Sequence, residues 1–79
     1  MATLTNRIFS HIAKDIDFLK DMLVVFLKDG RKIEIPLDYF PTLRDASPKQ
    51  RKNWRLIGGG IGIHWEDLDE DISVENLLH

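Results

Sequence analysis

The chain has 79 residues, carries 11 basic and 13 acidic side chains for a net charge of −2, and contains no cysteine. The composition excludes disulfides, thiolate zinc sites and cysteine redox chemistry, and the near-neutral charge excludes bulk attraction to a polyanion or a membrane. A domain this small buries only about 60% of its accessible surface on folding, so the core is thin, and a partner protein or a second copy of the chain is the expected supplement.

In chain order, the first twenty residues are ambiguous. Ile8, Ile12, Ile16 and Leu19 recur at helical spacing, while Ile16 and Phe18 also alternate as a strand does. The favoured reading is an N-terminal extension over residues 1–14, helical or loose, followed by a single α+β domain over residues 15–79. That domain opens with a strand from about Asp15 to Leu19 and a turn at Lys20 and Asp21.

Met22 to Leu27 is the longest apolar run, far short of the roughly 20 residues that span a bilayer. The N-terminus lacks the charged-then-apolar order of a signal peptide, so a soluble, cytoplasmic protein is expected. The same run is followed by Lys28-Asp29-Gly30 and by Arg31 to Ile35, the signature of a hairpin. Its second arm alternates Ile33 and Ile35 with Lys32 and Glu34, giving one buried and one wet face, and its first arm is apolar on both faces, as a central strand is. Pro36 ends the pairing because it has no N–H to donate.

Leu37, Tyr39, Phe40 and Leu43 then place apolar groups in a short segment that Pro41 opens as a helical turn. Ser47, Pro48 and Gln50 form the best helix start in the chain, with the cap, the preset φ and the reciprocal side chain of a capping box. The helix is predicted to run to about Trp54, which would anchor it in the core, with a return strand from Leu56. Gly58 to Gly60 permit a bend or bulge, and Ile61, Ile63 and Trp65 alternate with Gly62 and His64 in a further strand. Gly62 leaves one face bare, with room for an aromatic ring, a neighbouring backbone or a ligand. Ser73 is a candidate cap for a short final helix holding Val74, Leu77 and Leu78. The expected architecture is one antiparallel sheet of four to five strands with two or three short helices packed on it.

Several of these segments carry a resemblance. The ordered combination of DGR at Asp29 to Arg31, PLDYFP at Pro36 to Pro41, SPKQRKNWRLIGGGIGIHW at Ser47 to Trp65 and DLDEDISVENLL at Asp67 to Leu78 resembles the small bacterial family called domain of unknown function 2442. The match spans about Ile16 to the end. It departs from the family at Glu66, where many relatives carry proline, and at Thr42, where arginine is common. The resemblance implies a compact α+β domain without an assigned activity, and a role as an antitoxin-like partner of a neighbouring gene product.

Charge is segregated in the second half. Lys49, Arg51, Lys52 and Arg55 form a basic patch, and Glu66, Asp67, Asp69, Glu70, Asp71 and Glu75 form an acidic block. These are either solvated faces that attract each other within the fold or an electrostatic docking surface. Asp67, Asp69 and Asp71 imitate the opening of a calcium loop, but Ile72 stands where glycine is required and Leu78 where the bidentate carboxylate belongs. His64 with Asp67 and Asp69, even with distant His11, matches no zinc spacing. Gly58 to Gly62 leads into a strand and not a helix, and no lysine follows, so it is not a phosphate cradle. Ser10, Ser47 and Ser73 lie in no nucleophile elbow. No metal and no cofactor is expected.

The candidate binding residues are therefore Gly62, His64, Trp65, Asp67, Asp69 and Asp71, and the leading reading is a non-enzymatic protein-interaction module. A small ligand-binding or enzymatic domain using His64 and the nearby carboxylates is the alternative. A nucleic-acid-associated regulator using the basic patch comes third, since the adjacent acidic block would repel a polyanion as sole partner.

Overall fold

The computed structural model describes residues 12–78. The extension expected over residues 1–14 falls almost entirely outside that range, as do Ser10 and His11. The first strand, β1 (Ala13–Leu19), begins two residues earlier than alternation alone indicates. It turns at Lys20, whose φ of 55° is left-handed, and Asp21 into β2 (Met22–Leu27), which pairs in turn with β3 (Lys32–Pro36). The strand order β1-β2-β3 makes β2 central, and Leu23, Val24, Val25 and Leu27 are all buried, as two apolar faces require.

Pro36 is the last residue of β3, and Leu37 donates its N–H to Asp21 O (2.8 Å) to close the ladder. A 3₁₀ turn (Leu37–Tyr39) leads to α1 (Pro41–Arg44), then to α2 (Pro48–Lys52). The capping box forms in full: Gln50 N–H donates to Ser47 Oγ (3.1 Å), and Ser47 N–H donates to Gln50 Oε1 (3.0 Å). The helix stops at Lys52, however, because Asn53 leaves helical geometry (ψ 63°). Trp54 is therefore a strand residue, not a helix anchor.

The second sheet is the meander β4 (Trp54–Ile57), β5 (Gly62–Trp65) and β6 (Glu70–Ser73), with a 3₁₀ turn (Glu66–Leu68) between the last two and another (Glu75–Leu78) after them. Ser73 ends β6, and the helix expected after it is this last 3₁₀ turn. The single sheet of four to five strands is thus corrected, among the described residues, to two antiparallel sheets of three, accompanied by two short α-helices.

The reason lies where the sheets meet. β1 loses regular register between Ala13 and Asp15, and the segment facing it there is the Gly58–Gly60 turn and not a strand. Ala13 N–H donates to Gly60 O (2.8 Å) and the ladder goes no further. Both sheets nevertheless close over one core, in which Leu23, Val25, Leu27 and Leu43 meet Ile63, Trp65, Ile72 and Val74.

Candidate functional site

Strand alternation decides which candidate side chains reach solvent. The register pairs Trp54 with Trp65, Arg55 with His64 and Leu56 with Ile63, and continues across β5 to pair His64 with Asp71 and Ile63 with Ile72. Leu56, Ile63, Trp65 and Ile72 face the core, while Arg55, His64 and Asp71 form a cross-strand row on the outer face.

In that row His64 sits between two carboxylates. Its Nδ1 is joined to Asp71 Oδ1, and its Nε2 lies 3.4 Å from Glu66 Oε1. Arg55 reaches the same Glu66 oxygen at 3.3 Å. The imidazole is only 15% exposed, whereas Glu66 and Asp71 are 67% and 69% exposed. The ring is held as a pin between solvent-facing acids. A protonated ring makes both contacts ion pairs; a neutral ring has one N–H and donates to one partner.

The remaining carboxylates do not converge. Asp67 accepts a bond from Asn53 Nδ2 (3.0 Å), which ties the acidic turn to the end of α2, and Asp69 occupies a left-handed turn position (φ 51°) that aspartate tolerates. Among the described residues no group of His, Asp and Glu is placed to hold a metal ion. Of the basic patch, Arg55 on β4 pairs with an acid of this block, Glu66, whereas Asp67 and Asp71 are held by Asn53 and His64.

Two candidates leave the surface altogether. Trp65 is fully buried, with its indole N–H donating to Arg51 O (3.0 Å) and its ring edge-on to Phe18 at 6.3 Å. Gly62 is buried too, and the bare face beside it is filled by Ile57, whose Cγ1 lies 3.0 Å from where a Cβ would stand. No ligand space opens there. Ile61, expected to begin the strand, precedes it and is 59% exposed.

The basic patch is similarly divided. Arg51 turns back onto the fold: Nε donates to Leu43 O (2.8 Å), a second nitrogen to Arg44 O (2.5 Å), and the guanidinium lies 5.8 Å from the centre of the Phe18 ring. Arg55 stands on β4, paired with Glu66, and only Lys49 and Lys52 face solvent from the helix. Four residues adjacent in sequence therefore make no continuous phosphate-binding stripe.

The surface of the described residues includes two grooves. One, of about 510 Å³, is lined by residues 33–36, Tyr39, Phe40, Asn76 and Leu77; the other, of about 180 Å³, is lined by Asp17, Phe18, Pro48, Arg51 and Lys52. His64 lines neither. The contribution of Arg55 and Asn53 to the acidic site was missed from sequence. Its signal was the glycine turn, which, once Trp54 is taken as the strand start, places Arg55 opposite His64.

Residues 13–79 match the model of the family described as protein of unknown function (DUF2442). A crystal structure of a protein of unknown function from Rhodospirillum rubrum is similar, at 29% identity over 85% of this chain and 83% of that one, with a TM-score of 0.73. A solution NMR structure of an uncharacterized protein from Chromobacterium violaceum shares the fold, at 23% identity over 96% of this chain and 71% of that one, with a TM-score of 0.75. No curated protein matches the chain.

Proposed function

Because the chain belongs to the DUF2442 family, described without an activity, we propose that it is a non-enzymatic interaction module of the cytoplasm, binding a partner protein through the carboxylate ridge from Glu66 to Asp71, with His64 beside it. The ridge itself is the observation that carries this reading. Glu66, Asp67, Asp69 and Asp71 are all exposed, and Asp69 and Glu70 have no side-chain partner among the described residues. The partner has a basic surface, which a toxin-like product of a neighbouring gene can supply. The absence of cysteine suits a reducing compartment.

Co-expression with the product of the adjacent gene tests the reading. The expected result is a complex that weakens as salt rises and is lost when Asp67→Lys and Asp69→Lys are combined, because surface charge complementarity is screened by salt. Failure to form a complex, or an affinity indifferent to both reversals, sinks the reading.

A further inference from the structure

β3 is an edge of the first sheet, and its ladder with β2 consumes only alternate residues. Leu27 N–H donates to Arg31 O (2.9 Å) and Leu37 N–H to Asp21 O (2.8 Å), which puts the hydrogen-bonded pairs on the odd-numbered positions of the strand. The N–H and C=O groups of Lys32 and Glu34 consequently point away from the sheet. They enter no further backbone hydrogen bond among the described residues.

We propose that β3 pairs antiparallel with β3 of a second copy of this chain, about a two-fold axis through Ile33, joining the two first sheets into one of six strands. In this register Lys32 lies opposite Glu34 of the second copy and Glu34 opposite its Lys32, so each pair exchanges both main-chain hydrogen bonds and sets unlike charges face to face. A shift by two residues in either direction sets Lys32 on Lys32 or Glu34 on Glu34. The second of these shifts also puts Pro36, which has no N–H, opposite Lys32. Charge and proline thus select one register.

The apolar surface beside this edge fits the same occupant. Ile33, Tyr39 and Phe40 line the groove of about 510 Å³, and Tyr39 is 72% exposed, the most exposed large apolar side chain among the described residues. A second copy docked on β3 covers this wall in both chains at once. The opposite edge offers no such match: β1 is irregular between Ala13 and Asp15, and its Asp15 and Asp17 are both acidic. This surface is separate from the acidic ridge on β5 and β6.

Sedimentation of the purified chain from micromolar to millimolar concentration tests the proposal. A monomer–dimer equilibrium is expected. Lys32→Glu alone and Glu34→Lys alone each set like charges opposite one another, and each is expected to raise the dimer Kd about tenfold or more. The double swap, Lys32→Glu with Glu34→Lys, restores unlike pairs and with them the dimer. Circular dichroism of each variant confirms that the fold is retained. A wild-type chain that stays monomeric at millimolar concentration overturns the proposal and leaves the edge to an extended segment of another protein. So does a dimer that the single reversals leave unchanged, or that the double swap fails to restore.

Discussion

His64 on β5 and Asp71 on β6 stand directly opposite each other in the ladder, and the imidazole Nδ1 is joined to the aspartate carboxylate. The contact ties the centre of the second sheet to its edge strand on the side away from the core. Asp71 is also one end of the proposed docking ridge, and Glu66 at its other end lies 3.4 Å from the same imidazole, so local stability and the ridge share both residues.

A double-mutant cycle of His64→Ala and Asp71→Ala measures that contact. Because Asp71 is 69% exposed, the coupling is expected to be small, about 0.2–1 kcal/mol in urea denaturation at neutral pH. A coupling of several kcal/mol would mean that the pair holds the sheet together more than its exposure allows.

Trp65 behaves differently. It is fully buried and its N–H satisfies Arg51 O, so Trp65→Phe is expected to cost about 1–3 kcal/mol by leaving that carbonyl unpaired and the core underfilled. Trp65→Ala is expected to cost about 3–5 kcal/mol, a large fraction of the stability of a domain of this size. Thermal denaturation followed by circular dichroism orders the two variants, and equal melting temperatures would contradict this account.

Gly60 has a φ of 112°, and a Cβ there would lie 2.4 Å from Ala13 O, at the joint between the sheets. Gly59 also has positive φ (72°), but nothing lies near its missing Cβ. Gly60→Ala should therefore destabilise by clearly more than Gly59→Ala, for which about 1 kcal/mol is expected from backbone strain alone. Urea midpoints of the two variants give the comparison, and the reverse order would show that the joint yields freely.

Asp29 contributes at acid pH. The Arg31 backbone N–H donates to its carboxylate (3.0 Å) and the Arg31 guanidinium adds a second bond (2.9 Å), which together hold Asp29 below the ordinary value of 3.8. A pKa depressed by folding contributes stability that is present above 3.8 and is lost as pH falls through the folded-state value. Asp29→Asn should remove this part of the acid dependence, bringing the urea midpoints of variant and wild type closer together between about pH 4 and pH 2. An unchanged gap would show that the turn does not discriminate between the charged and neutral forms.

Much of the local structure was legible because its causes act within a few residues. Asp29-Gly30 specifies a hairpin, Pro36 stops a ladder, and Ser47, Pro48 and Gln50 start a helix, each through its own backbone geometry. The candidate site was legible only as a stretch of chain. Alternation set Trp65 on one strand face with Ile63, yet it was counted among the binding residues although it is fully buried, and Gly62 was read as a gap because the side chain that fills it, Ile57, comes from across the turn.

By itself, then, the sequence determined the family, the strand and turn chemistry, the position of the helix start and the segregation of charge. Only the tertiary structure decided that the six strands of the described residues divide three and three, and that of two tryptophans Trp65 is fully buried while Trp54, its ladder partner, is half-exposed. It also decided that Arg51 turns inward while Glu66 and Asp71 stay in water around His64. The physical reason is that burial depends on contacts between segments far apart in the chain, such as Ala13 with Gly60 and Trp65 with Arg51, and no pattern within either segment encodes where its partner will stand.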